Sequence, residues 1–202
     1  MPVLRFSEAD HRYFLDDEEI PSVSRILEKI HSRPPGIPQD VWELAQERGI
    51  RVAAAVRLLL DDDLDEEDLD EALVPRIQAF KDWMKLGDFV PDVARCEVPT
   101  YNTVNGLHYG MTPDLPGLWK GKPAIVDVKC TYKNWESHHA IQLAGYAGEN
   151  RPVRMVLNLG RDGVAKLHEF TDERDYTVFA AALTCTWWEI DQAKPKRKKK
   201  KT

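Results

Sequence analysis

At 202 residues and 43% apolar content, the chain is long enough to bury one core and too short for two comfortable domains. No apolar run approaches the roughly 18–20 residues that cross a bilayer, and residues 1–10 lack the basic-then-apolar layout of a secretory signal, so a soluble, cytoplasmic protein with no membrane partner is expected. The net charge of −6 hides an asymmetry: Lys194, Lys196, Arg197 and Lys198 to Lys201 carry seven positive charges, and the remainder without them stands at −13, a poor general surface for polyanions.

In chain order, VLRFSEADHRYFLDDEEIPSV reads as two short strands around polar turns, with Asp16 and Asp17 at the tighter reversal. A helix follows, with Ser22 as N-cap and Val23, Ile26, Leu27 and Ile30 on its apolar face. The prolines and glycine of RPPGIP, Arg33 to Pro38, make a connector. From Asp40 to Leu60, Val41, Leu44, Ala45, Val52, Ala55, Val56 and Leu59 recur at helical spacing, which predicts a long buried helix with Gly49 as the place for a bend. Asp61 to Ala72 is an acidic linker without the glycine-centred pattern of a calcium loop. It runs into a second helix through Ile77, Phe80, Trp83 and Met84.

The period then changes from 3.6 to 2. Val93 to Tyr101, Leu107 to Pro113 and Ala124 to Tyr132 read as strands, with NTVNG and LPGLWKGK as turns. Helix returns at Trp135 to Glu149, Val153 to Leu159 and Ala165 to Phe170 are strands, and Asp172 to Asp191 closes as a helix. This order predicts an α/β fold, a central mixed sheet flanked by helices, organised as an N-terminal hairpin and helix (1–32), a core (33–191) and a disordered basic tail (192–202). Cys96, Cys130 and Cys185 are odd in number and far apart, with no CxxC pair, and are expected to be reduced thiols.

The chemistry concentrates in YGMTPD and IVDVKC. Asp127 and Lys129 lie two apart on one strand and share a face, while Val126 and Val128 point to the other. Asp114, read as ending the preceding strand, offers a second carboxylate. Two carboxylates on neighbouring strands can share a hard cation, with the lysine beside it. Magnesium, for which manganese can substitute, would bind those oxygens, activate water and screen phosphate charge. A plainer reading makes the pair an exposed face of an edge strand and Asp114 a turn residue. Against it, an idle acid and base in an apolar strand are costly.

The motifs ERG on a helix, Glu97, GMTPD, IVDVK and QLAGY occur in one order from about Glu47 to Tyr146. In that order they resemble the PD-(D/E)XK nuclease superfamily, and within it the RecB-like and phage exonuclease branch. The resemblance implies a restriction-endonuclease-like core in which Asp114, Asp127 and the main-chain carbonyl of Val128 bind metal and Lys129 is catalytic. Glu97 matches the family's further acidic residue, holding a second metal directly or through water, or else is a surface charge paired with an arginine. Gln142 and Tyr146 match QxxxY, share a helical stripe, and are implied to organise the site or touch nucleic acid; Tyr146 equally reads as core. His138, one turn earlier, would meet a phosphate or simply begin the helix. Where many RecB-like relatives carry a metal-binding histidine after RG, this chain has Ala53, which leaves the number of metals open.

The resemblance implies a phage or prophage-type exonuclease acting on DNA in recombination, replication or repair, in the host cytoplasm. A homo-oligomer, since closed rings occur among phage relatives, and a recombination or replication protein as partner are implied with it. Two other readings fit the same residues: a structure-specific or restriction-like endonuclease, and an idle nuclease fold that binds nucleic acid or protein through its basic tail.

Overall fold

The computed structural model describes residues 2–30, 37–130 and 136–194. The tail beyond Lys194, most of the RPPGIP connector and the stretch from Thr131 to Trp135 lie outside the described residues. So do the expected end of one strand at Tyr132 and the start of one helix at Trp135.

The expected mixed α/β arrangement is present. A five-stranded sheet runs in the order β10 (Ala165–Phe170), β9 (Val153–Leu159), β8 (Lys122–Lys129), β7 (Leu115–Trp119), β4 (Phe89–Pro91). Only β8 and β9 are parallel; helix α4 (Glu136–Ala147) lies between them in the chain, as a parallel connection requires. Alternation along β8 divides the core. Ala124 and Val126 face a cluster built with Val52 and Val56 of α2 (Gln39–Leu60) and Ile77, Phe80 and Trp83 of α3 (Val74–Met84). Ile125 faces the other side, with α1 (Val23–Leu27), α4 and α5 (Arg174–Ala193). Asp127, two residues on from Ile125, belongs to that second face.

Four readings are corrected. The N-terminal segment is a three-stranded meander, β1 (Leu4–Ser7), β2 (Arg12–Leu15) and β3 (Glu18–Ile20), not a two-stranded hairpin. Asp16 and Asp17 both adopt positive φ, the geometry that suits a two-residue hairpin turn, so the chain reverses there and EEI becomes a third strand. Val93 to Tyr101 is not one strand: Val93–Arg95 is a 3-10 turn, and β5 (Thr100–Val104) pairs only with β6 (Leu107–Met111) in a separate hairpin. LPGLWKGK is largely strand β7, its turn confined to Lys120 and Gly121. Pro116 is tolerated because its carbonyl accepts the Asp92 amide just beyond β4, and the N–H it lacks would have pointed to that same open side. A Cβ at Gly117 would strike the Val90 carbonyl, so glycine lets β4 close on β7. Finally, α2 is unbroken through Gly49 but not buried throughout. Val52, Ala55 and Val56 are buried, whereas Val41, Leu44 and Ile50 are exposed, because the core takes up only the C-terminal part of the helix.

The meander and α1 pack directly on the strands that lead to the site. The Gly110 amide donates to the Pro21 carbonyl at 2.9 Å, and Ser22 bridges to Gly110. The Ser22 hydroxyl accepts the Arg25 amide at 3.1 Å, the expected N-cap. On the far side, Tyr109 donates to the Gly145 carbonyl at 2.8 Å. Gly145 itself lies under the ring of Phe179, which a Cβ would strike, so α4 and α5 approach closely. Among the described residues no helix is long and apolar enough to cross a membrane.

Candidate active site

Asp127, 1% exposed, is the only fully buried carboxylate among the described residues. Its Oδ2 lies 2.6 Å from Nζ of Lys129, an ion-pair contact, and among the described residues neither carboxylate oxygen accepts a hydrogen bond of normal geometry. A buried carboxylate left half satisfied is expensive unless another positive group meets it.

Asp114 stands immediately before β7, three residues past the end of β6, which corrects the sequence reading. Leu115 pairs with Val126, and continuing that register by one residue puts Asp114 opposite Asp127. β7 stops short there, and the Asp114 side chain completes the ladder: its Oδ2 accepts the Val128 amide hydrogen at 2.7 Å.

Glu97 follows the Val93–Arg95 turn, half-buried, on neither strand nor helix. Its φ of +53° is a left-handed conformation that costs a non-glycine residue about 1 kcal/mol or more. Two contacts hold it. The Glu97 amide donates to Pro113 at 3.0 Å, tying it to the strand that carries Asp114. Arg57 of α2 donates from Nη1 to the carbonyls of Val93, at 3.0 Å, and Cys96, while its Nε pairs with Asp61.

Electrostatics binds these groups into one unit. Burial and the neighbouring Asp127 push the Asp114 carboxyl well above the usual range, with Glu97 adding to it; Lys129 and the Val128 amide oppose. Glu97 is also raised, by burial and then Asp127. Burial works to lower Lys129, but Asp127 and Asp114 outweigh it and the ammonium is held more firmly than usual. Cys96 is no nucleophile: burial lifts its thiol to about 11.

Helix α4 supplies the site's roof. Gln142 donates to the Tyr146 hydroxyl at 2.9 Å, one turn apart as QxxxY requires. The Tyr146 hydroxyl is raised by burial, then by Asp114 and Asp127. His138 is half-buried. Its neighbour His139 is buried, interacts with Gln142, and is lowered to about 4 by burial and Lys129, so it is neutral at physiological pH.

Three contributors escaped the sequence reading. Arg57 gave no signal beyond its place on α2. His139 was passed over for His138. Tyr13 of β2 is buried, and its hydroxyl shares a hydrogen bond of 2.6 Å with Thr112, two residues before Asp114. Burial raises that hydroxyl, and Glu97 adds to the effect. Gly110 makes this approach possible, since a Cβ there would overlap the Tyr13 ring. The glycine of GMTPD was the available hint, because such residues mark close approach.

The donor set fits a hard divalent cation. The groups are oxygens, Asp127 Oδ1 lacks a partner among the described residues, and Asp114 and Glu97 both feel the charges of Asp127 and Lys129. Among the described residues no three His, Cys, Asp or Glu side chains converge as a ready-made cage, so main-chain oxygen or water would complete the shell. Ala53 lines a narrow cavity with Arg57, Glu97, Asp114 and Val128. The position faces the carboxylates but presents only a methyl group.

No protein-family model and no curated protein matches the chain. Solved structures similar to the chain over most of its length include the following two. One is the crystal structure of the protein SSO0001, with a TM-score of 0.36 and 14% identity over 87% of this chain and 87% of its own. The other is an alkaline exonuclease (LHK-Exo) from Laribacter hongkongensis, with a TM-score of 0.40 and 13% identity over 86% of this chain and 92% of its own.

Proposed function

We propose that this protein is a magnesium-dependent DNA nuclease with a restriction-endonuclease-like core, manganese being able to replace magnesium. The observation that carries the reading is Asp127: a fully buried carboxylate with one oxygen on Lys129 and the other unpartnered, opposite Asp114. An exonuclease acting in phage-type recombination, replication or repair is the favoured version. It rests on the order of motifs from ERG to QLAGY, since no residue of the site reports whether a DNA end is needed.

In this reading Asp114, Asp127 and the Val128 carbonyl would hold the ion, with Glu97 beside them. When bound, it supplies Lewis-acid polarisation of the phosphoryl oxygen and lowers the pKa of an attacking water. The remaining work falls to the chain. Lys129, kept protonated by Asp127 and Asp114, is a positive charge and not a base, and stabilises the negative charge that develops on the phosphorus oxygens. Glu97, fixed by Arg57 and Pro113, orients the water whose oxygen forms the new bond to phosphorus as the P–O bond to the sugar breaks. Gln142, whose amide donates to the Tyr146 hydroxyl, would help organise the site from α4.

The test is an assay of the purified protein on linear duplex, single-stranded and circular DNA, with Mg2+, Mn2+ or EDTA, alongside Asp127→Asn and Lys129→Ala. Cleavage that needs the metal and is lost in both variants supports the reading, and cleavage of linear but not circular DNA supports the exonuclease. Activity that survives Asp127→Asn, or persists in EDTA, overturns the site.

A further inference from the structure

The peptide unit between Cys96 and Glu97 is held at both of its polar ends. Its carbonyl oxygen accepts a hydrogen bond from Nη1 of Arg57, and its N–H donates to the Pro113 carbonyl at 3.0 Å. The unit is planar, so holding both ends fixes its plane and the two dihedrals that flank it, ψ of Cys96 and φ of Glu97. The second of these is +53°, a value that a side chain resists. It sets the direction in which the Glu97 side chain leaves the backbone.

Both anchors are themselves rooted. Arg57 rises from the part of α2 that the core takes up, where Val52, Ala55 and Val56 are buried. Three bonds hold its guanidinium: Nε meets Asp61 Oδ2 at 2.6 Å, and Nη1 reaches the Val93 carbonyl at 3.0 Å as well as that of Cys96. Pro113 lies between Thr112, whose hydroxyl shares a hydrogen bond of 2.6 Å with Tyr13, and Asp114, whose carboxylate accepts the Val128 amide at 2.7 Å. A continuous chain of contacts therefore runs from α2 through the Glu97 backbone to β8.

What Arg57 contributes is geometry more than charge. Of the influences on the Glu97 carboxyl its charge ranks last, after burial, Asp127 and Lys129. Its planar fork, in contrast, suits acceptors that lie in different directions. Without that fork the Cys96 carbonyl loses its hydrogen bond, the peptide unit is free to rotate, and Glu97 can relax to the negative φ that a side chain prefers. The carboxylate would then leave the cavity that it lines with Asp114.

We propose that Arg57 is a positioning residue of the candidate site: gripping the Cys96 carbonyl while Pro113 holds the Glu97 amide, it keeps Glu97 left-handed and its carboxylate beside Asp114 before any cation or substrate arrives. The proposal rests on the nuclease reading above for the task that Glu97 performs.

Two measurements test it. In EDTA, Glu97→Gly and Glu97→Ala are compared by melting temperature. Glycine accepts a positive φ and alanine resists it, so the glycine variant is expected to melt about 2–4 °C higher. With Arg57→Gln added the order is expected to reverse, since alanine is the more stable choice once the backbone can leave that region. In titration calorimetry, Arg57→Gln and Arg57→Lys are each expected to weaken Mn2+ binding about tenfold, as losses behind a metal ligand do. Lysine fails because a single nitrogen cannot replace the fork. In a Glu97→Gln background the same substitutions should change affinity by less than about twofold, the mark of coupled residues. Glycine still above alanine after Arg57→Gln, full Mn2+ affinity in Arg57→Lys, or an equal loss with and without the Glu97 carboxylate overturns the proposal; if the parent binds Mn2+ and cuts DNA, the nuclease reading stands. If the parent binds no Mn2+, that reading falls and the role of Arg57 in the site falls with it.

Discussion

Lys129 Nζ lies 2.6 Å from Asp127 Oδ2 on the same strand, the lysine one quarter exposed and the aspartate buried. The pair is asymmetric: Lys129 can turn to water, and Asp127 cannot. Lys129→Met should therefore do two things. It lowers cleavage by about 10²–10³, the cost of losing one charge-stabilising group. It also destabilises the metal-free fold by about 2 kcal/mol, less than the ~3–5 of a fully buried pair. Urea unfolding in EDTA reads the second effect, and an unchanged midpoint would show that Asp127 does not depend on its neighbour.

The raised carboxyls of Asp114 and Glu97 make a stability prediction with a definite sign. A carboxyl whose pKa is higher folded than unfolded contributes stability that is fully present below its unfolded value and is lost as pH rises through the folded one. For these groups the loss begins near their ordinary 3.8 and 4.5 and continues towards neutrality. In EDTA, Asp114→Asn should melt above the parent by a margin that grows with pH, each ~1 kcal/mol appearing as about 2–4 °C. Mg2+ should raise the parent's melting temperature more at neutral than at acid pH, where protons compete, and barely affect the variant. A margin that stays flat across pH contradicts the picture.

Ala53 offers a gain of function. Because its methyl faces the cavity shared by Glu97 and Asp114, Ala53→His supplies an imidazole ligand. Affinity for Mn2+ should rise by about tenfold, ~1.4 kcal/mol, and that for Mg2+ by less, since imidazole suits transition metals. Val56, Leu60 and Leu115 also line the space, so the larger side chain should cost about 1–3 kcal/mol of stability without metal. Isothermal titration decides it: equal Mn2+ affinities for variant and parent would mean that position 53 does not reach the ion.

The contact of Tyr13 with Gly110 predicts strong coupling. Gly110→Ala puts a Cβ into the Tyr13 ring and should destabilise by about 1–3 kcal/mol. In a Tyr13→Ala background the same substitution should cost little, which a double-mutant cycle of unfolding free energies measures directly. Tyr13→Phe keeps the ring and removes only the bond to Thr112, so it should fold normally. Additive energies in the cycle would place the cost elsewhere than this contact.

The sequence by itself determined the class of fold and singled out the acids and the lysine that meet in the candidate site. Alternation in IVDVK fixed which residues share a face with Asp127, and helical spacing placed Gln142 and Tyr146 together; both are local consequences of backbone geometry. What lay beyond it was everything that depends on which strand neighbours which. LPGLWKGK looked like a turn because proline and glycine punctuate local structure, yet only the end of β4 beside Pro116 makes a strand there affordable. Asp114 was recognisable as an acid, but its seat opposite Asp127 and its bond to Val128 follow from that missed strand. Arg57, Tyr13 and His139 reach the site from three different elements, through contacts between residues far apart in the chain, or through burial that one helix turn does not specify. The pairing of Asp127 with Val156 across β8 and β9 is the same kind of fact, for a single strand records which face a side chain takes, and only the assembled sheet decides whose side chain stands next to it.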